Sequence, residues 1–305
     1  MYTLDVSVII VSYNTKDLTL QCIKSIIDHT SGVNYEIIVV DNASLDDSVE
    51  AINELFSSVV VIESKKNLGF GRANNLAVKS ARGKYLFFLN SDCILIENAI
   101  KKMFDYYELN NKDENRIGAI GCMLLDGNYK LNTSYQRFPT PGNQIKRCLI
   151  SIINKIFKTN FSSSPVPNYE LDNNHEVDFI TGADLLISHE VFDSLGGFDP
   201  DFFMYYEETD LQKRMSNIFL KRIIMNDVNI IHLEGGSTSK ELSSTTIYLD
   251  SDFKYMRKHY SYVVYLLYYS CMTLLSFPRV FSGIHSRKDK SNYLKMLMRN
   301  CKFIV

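Results

Sequence analysis

The sequence predicts an α/β protein built on a parallel sheet with both faces covered by helices. Three observations carry this. Over the first 125 residues, short β-branched runs alternate with segments of helical period. The runs are continuously apolar, as in strands buried on both faces, where a half-solvated sheet would alternate. Three of the runs end in carboxylate, amide or hydroxyl residues, and ligands of open α/β sheets sit beyond the carboxyl ends of the strands.

The elements follow in order. Val6–Val11 reads as a buried strand. Asp17–Asp28 carries Leu18, Cys22 and Ile26 at helical spacing, with Ile23 and Ile27 alongside, and reads as an amphipathic helix. Glu36–Val40 is a second strand and Asp46–Phe56 a second helix. Val59–Ile62, Gly71–Ser80 and Tyr85–Leu89 continue the alternation as strand, helix and strand. The first strand ends in Ser12-Tyr13-Asn14, the second in Asp41-Asn42-Ala43-Ser44 and the fourth in Asn90-Ser91-Asp92. Each group alone is compatible with a helix N-cap, the ordinary role of Ser44 or Asp46. Together they point to one shared cleft.

Further on, Gln144–Lys158 contains no acid and four bases, with Ile145, Leu149, Ile152 and Ile156 on one stripe. Two readings stand: a core helix with solvated lysines, or an amphipathic flap that touches lipid. Ser162–Pro167 reads as a loop. Residues 207–219 place acids in the first turn and bases in the second, which suits the helix dipole, with Leu211, Met215 and Ile218 as the buried stripe. Tyr260–Val280 is uncharged until Arg279, with Tyr262, Tyr265, Tyr268 and Tyr269 interleaved. Its apolar part is at the short limit for spanning a bilayer. An interfacial helix followed by the basic Arg287–Lys302 stretch is expected.

Composition bounds the function. The chain has 305 residues, 46% hydrophobic and 22% charged, which excludes disordered, collagen-like and disulfide-scaffold classes. Six scattered cysteines form no Cys-x-x-Cys pair, which excludes a zinc ribbon and suits a reducing compartment. Val6–Val11 is too short for a signal sequence, so none is expected. The net charge of −2 hides an asymmetry: residues 254–305 hold ten Lys and Arg against one acid, Asp289. Such a tail seeks an anionic partner.

Chemistry-bearing residues cluster at three places. A carboxylate at Asp92 can bind a hard divalent cation whose other ligands are phosphate and water oxygens. Glu207, Glu208 and Asp210 crowd three acids into four residues, so that mutual repulsion raises some of their proton affinities and makes one a candidate general base. His232, after an apolar run, is a candidate third ligand, although a lone histidine is more often structural.

The residues then match a known family. Val6–Asn14, Ile38–Ser44, Asn67–Asn75 and Phe88–Asp92, followed by Thr181–Ala183, Gly196–Asp199, Phe203–Leu211 and His232–Ser237, resemble the family 2 glycosyltransferases over residues 5–260. Arg137–Thr140 and the Tyr-Tyr-Glu-Glu-Thr-Asp run look most like its rhamnosyltransferase-type branch. The resemblance implies a GT-A fold, with a Rossmann-like, mostly parallel sheet flanked by helices; the charge and apolar pattern of the tail add an expected C-terminal helical membrane-associating segment. It places a catalytic domain at 1–245 and a basic, apolar tail at 246–305.

It also implies an inverting, metal-assisted transfer of a sugar, rhamnose by branch, from a dTDP- or UDP-sugar to a saccharide or lipid-linked saccharide in cell-surface polysaccharide assembly. Carried over by position, Tyr13, Asn14 and Asp41 hold the nucleotide, Asp41 reading its base or ribose. Asn67, Gly69 and Arg72 line the nucleotide and diphosphate. Asn90 stands at the first place of the family's Asp-x-Asp motif, Asp92 ligates Mg²⁺ or Mn²⁺, and His232 helps hold the metal or diphosphate. Glu208 is the catalytic base, where the family usually has Asp, and Asp210 orients the acceptor or supports the base. The expected location is cytoplasmic, peripheral at the inner face of the membrane.

Other functions fit less well. A nicotinamide dehydrogenase would need the third glycine that Gly69-Phe-Gly-Arg-Ala-Asn74 lacks, and its fingerprint would follow the first strand. A non-catalytic nucleotide-sugar-binding or membrane scaffold protein is the alternative that Asn90 and Glu208 motivate. Nucleic-acid binding is not expected, because the tail has no recognition-helix pattern.

Overall fold

The computed structural model describes residues 2–113, 116–161, 173–233, 242–276 and 287–301. The expected loop 162–167, positions 234–237 of the last motif and residues 277–280 lie outside them. In chain order the elements are β1 (Leu4–Ser12), α1 (Lys16–His29), β2 (Tyr35–Asp41), α2 (Ser48–Leu55), β3 (Val60–Glu63), α3 (Phe70–Val78) and β4 (Gly83–Asn90). Next come β5 (Cys93–Leu95), α4 (Ala99–Asn110), β6 (Ile117–Leu125), β7 (Tyr135–Gln136), α5 (Pro141–Phe157), β8 (His175–Glu176), β9 (Phe179–Ile180) and β10 (Asp184–Ser188). The remainder are α6 (His189–Ser194), α7 (Glu207–Asn217), β11 (Lys221–His232), α8 (Leu242–His259), α9 (Tyr262–Ser276) and α10 (Arg287–Cys301).

The chain divides into two compact units. The first comprises 1–137, 168–203 and 207–238; the second comprises 138–167, 204–206 and 239–305. Where the sequence suggested one cut between 245 and 246, the structure groups α5 with the C-terminal helices.

The first unit is built on a sheet of order β3-β2-β1-β4-β10-β6-β11-β5, with β8 also paired to β11. Its first four strands are parallel, as their continuous apolar runs predicted. The rest corrects the expected mostly parallel sheet to a mixed one: β10 lies antiparallel between β4 and β6, and β5 and β8 pair antiparallel with β11. Apolar continuity reports burial on both faces, not direction. Side chains alternate across the sheet. Val6, Val8 and Ile10 of β1 join a core with Cys22 and Ile26 of α1, Ile52 of α2 and Met103 of α4. Ile9 joins the opposite core with Ala73 and Ala77 of α3, Phe192 of α6 and Leu211 and Met215 of α7. Ile218, expected in that stripe, is exposed because α7 ends at Asn217.

In the second unit, α5 packs along α9, and α8 packs on α9 and α10. A buried polar cluster joins them. The Tyr206 phenol donates to Asp252 Oδ1 (2.7 Å) and accepts from Gln144 Nε2 (2.7 Å), while Tyr268 donates to the other Asp252 oxygen. Burial pushes the Asp252 carboxyl up to about 6, against the lowering effect of these phenols.

Candidate active site

Parallel pairing brings the polar strand ends together. Ser12 lies opposite Asp41, and Val11 opposite Asn90, so β1, β2 and β4 deliver their last residues to one edge of the sheet. Hydroxyls tie that edge: Ser12 Oγ lies 3.2 Å from Thr15 Oγ1, which lies 3.1 Å from Ser91 Oγ. The loops leaving β1 and β4 are therefore joined, a link that sequence spacing does not reveal.

At the first strand end, Tyr13 is exposed and Asn14 sits at φ +53°. Asn14 accepts from Leu45 N through Oδ1 (2.8 Å) and donates its backbone N–H to Ser44 Oγ (3.0 Å). Asp41 is buried; its Oδ2 accepts from Ser44 N (3.1 Å), and its Oδ1 has no hydrogen-bond partner among the described residues. A buried carboxylate oxygen without a donor is costly, and a ligand hydroxyl or imide would satisfy it. Asp46, read as a cap of its own helix, accepts from Ser48 Oγ at the start of α2 and also from Lys16 N at the start of α1 (2.8 Å).

The glycine-containing loop before α3 is held from two sides. Asn42 accepts from Leu68 N (2.8 Å) and donates to Asn67 Oδ1 (3.1 Å), which also takes the Gly69 N–H (2.9 Å). Asn67 thus shapes the loop from within. Gly69 has φ +80°, and a Cβ there would fall 1.9 Å from the Phe203 carbonyl oxygen, so only glycine fits. That carbonyl accepts from Phe70 N (2.9 Å). Arg72 is exposed, with Nε donating to Pro200 O (2.6 Å).

Asn90, Asp92 and His232 converge. β11 runs antiparallel to β5 and puts His232 opposite Cys93. His232 Nε2 is 3.2 Å from Asp92 Oδ1 and 3.3 Å from Asn90 Nδ2. Asp92 is 3% exposed. Ligand atoms of Asp92, Cys93 and His232 all lie within 4.8 Å of one another. The carboxylate oxygen and imidazole nitrogen fit a divalent cation that keeps its remaining ligands as phosphate or water. Burial raises the Cys93 thiol well above its ordinary range, which suits it less to a hard ion.

Glu208 is half-buried in the first turn of α7 and accepts from Thr209 Oγ1 (3.1 Å). Its side chain lies along Gly182, where a Cβ would approach its Cγ to 3.4 Å. The next residue, Ala183, accepts through its carbonyl from Asn90 N (3.0 Å). The Gly182–Ala183 pair therefore touches both Glu208 and Asn90, the last residue of β4. Desolvation raises the Glu208 proton affinity, and the Asp210 charge adds to it. Asp210 is fully buried and ion-paired to Arg214 (2.9 Å), which also donates to the Leu195 and Gly197 carbonyls. It acts on Glu208 through its charge while anchoring α7 to the 195–197 turn.

Two contributors had no sequence signal of their own. Gln212, one turn after Glu208, pairs with both the N–H and the carbonyl of Ile180 at 2.8 Å and so fixes α7 against β9. Asp184, on β10, is fully buried, accepts from Cys122 N (2.6 Å), and is raised by desolvation to about 7.

The family model described as glycosyl transferase family 2 matches residues 7–160. The chain is 34% identical over 113 residues to a poly(ribitol-phosphate) beta-glucosyltransferase of Bacillus spizizenii, covering 35% of this chain and 18% of that protein. It is 35% identical over 104 residues to a UDP-Glc:alpha-D-GlcNAc-diphosphoundecaprenol beta-1,3-glucosyltransferase of Escherichia coli, covering 34% and 41%. A low-salt glycan biosynthesis hexosyltransferase of Haloferax volcanii is 25% identical over 252 residues, covering 81% of this chain and 73% of that protein. The match thus spans less than half the length of the first two of these relatives. The family model takes in half of the chain, including the ends of β1, β2 and β4 and the loop at Gly69, and the chain belongs to glycosyl transferase family 2.

Proposed function

We propose that the chain transfers a hexose from a nucleoside diphosphate-sugar to a saccharide hydroxyl, with inversion, in the assembly of a surface glycan. One observation carries the reading: Glu208, a carboxyl with raised proton affinity, lies along Gly182, while the adjacent Ala183 carbonyl accepts from the N–H of Asn90, two residues before the Asp92 that pairs with His232. Proton acceptor and leaving-group end are thereby set at neighbouring positions, as a single displacement requires.

In this reading Asp41, with its unsatisfied Oδ1, takes a hydrogen bond from the base or ribose, and Tyr13 and Asn14 flank it. Asp92 and His232 would hold Mg²⁺ or Mn²⁺. When bound there, the cation neutralises charge on the diphosphate. Glu208 removes the proton from the acceptor hydroxyl as it attacks the anomeric carbon from the face opposite the leaving group. The relatives' names include glucosyltransferases and a UDP-Glc donor, which favours UDP-glucose; the branch-level motifs favour dTDP-rhamnose. A saccharide on a lipid carrier is the acceptor class, and the cytoplasmic face of a membrane the place of action.

A thermal-shift panel of UDP- and dTDP-sugars, with and without Mn²⁺, tests the reading. A selective and metal-dependent rise in Tm for one donor is expected, since a ligand at 100 times its Kd adds about 2.7 kcal/mol. A flat panel in both conditions would contradict it.

A further inference from the structure

We propose that the outward faces of α5 and α9 form a docking surface for a bilayer with anionic headgroups. The sequence suggested an interfacial helix over the tyrosine-rich stretch of α9. The structure turns Tyr265, Tyr268 and Tyr269 into the second unit. What α9 turns outward is Tyr262, Val263, Val264, Leu267, Ser270 and Leu274, and the whole stretch Ser261–Ser276 carries no charge. Val263, Leu267 and Leu274 are 65%, 69% and 75% exposed. A helix on the surface of a soluble domain normally shows solvent its charged face; α9 does the reverse.

The helix packed along it repeats the pattern. Leu149, Ile153, Ile156 and Phe157 of α5 recur at helical spacing and are exposed, Phe157 by 70%. Of the stripe Ile145, Leu149, Ile152 and Ile156, Leu149 and Ile156 are exposed and Ile145 and Ile152 half-buried, so α5 is not the fully buried helix of the core reading. Adjacent apolar stripes of this kind mark an interaction site. No helix among the described residues is long and apolar enough to cross a membrane, so the face would lie on a bilayer and not pass through it.

Charge selects the occupant. The second unit holds fifteen Lys and Arg against four Asp and Glu, and the first holds eighteen against thirty-one. The segment 138–161 that contains α5 has no acid and carries Lys146, Arg147, Lys155 and Lys158. A second copy would bring one strongly basic unit against another and be repelled. An anionic bilayer takes the apolar stripes into its interface and attracts the bases beside them.

Flotation of the full chain with phosphatidylcholine vesicles, with and without phosphatidylglycerol, tests this; it requires no turnover and so stands or falls apart from the sugar-transfer reading. Binding is expected with the anionic vesicles, weakening about tenfold between low and high salt. The pair Val263→Asp and Leu267→Asp should lower binding about tenfold or more with an unchanged unfolding midpoint. Phe157→Asp on α5 gives an independent measure should that pair not fold. Absence of flotation with anionic vesicles, equal flotation with neutral ones, or wild-type flotation of the folded variants would overturn the proposal. A concentration-dependent dimer that the same substitutions dissolve, without flotation, would overturn it in favour of a second copy.

Discussion

Two buried or half-buried carboxyls in the first unit are raised by the same cause and have different consequences. In its proposed role as base Glu208 must be ionised to accept a proton, so its raised affinity is expected to move the acid limb of the pH–rate profile above the ordinary glutamate value of about 4.3. Asp184 makes no such demand and acts on stability. Its carboxyl is neutral in the folded chain up to about pH 7, whereas in the unfolded chain it ionises near 3.8. The folded state therefore binds the extra proton between these values. The associated stability is fully present below pH 4 and is lost as pH rises through 7, a loss bounded at ~4 kcal/mol. Asp184→Asn keeps an acceptor for Cys122 N and removes the titration. Urea unfolding of both proteins at pH 5 and pH 8 should show the pH dependence reduced in the variant and its stability at pH 8 raised. An unchanged difference between the two pH values would place the titration elsewhere.

At the scale of elements, the loop before α3 shows how geometry is enforced beside the strand ends. Gly69→Ala would place a methyl carbon against the Phe203 carbonyl and force alanine into φ +80°. A loss of at least about 2 kcal/mol is expected, read as a lowered urea midpoint with an unchanged m-value. Such loops were only half legible in the sequence. The polar ends of β1, β2 and β4 were visible because each interrupts an apolar run. The side chains that hold those ends were not, because their partners lie far along the chain: Asn42 with Leu68, Thr15 with Ser91, Gln212 with Ile180. Nor was the direction of β10, since burial on both faces reads alike in parallel and antiparallel strands. The inward tyrosines of α9 had the right period but no sign of which side faced the core; α5 posed the same question, and in both helices the apolar residues shared between core and surface made the pattern two-sided.

Over the whole molecule, sequence counts gave the charge contrast but placed its boundary too late in the chain. The basic surplus belongs to a discontinuous unit that includes 138–167 as well as the C-terminal helices. The acidic surplus belongs to the unit bearing the polar strand ends, so the proposed diphosphate donor would need local groups such as Asp92 with His232, and a cation they would hold, to offset that charge. The account at this scale rests on Glu208 as the proton acceptor in sugar transfer. Its most direct test is steady-state transfer and donor affinity measured together for Glu208→Gln, a near-isosteric change that removes basicity. The account predicts a fall in kcat of about 10² to 10⁴-fold with donor Kd unchanged. Wild-type kcat in the glutamine variant would contradict it.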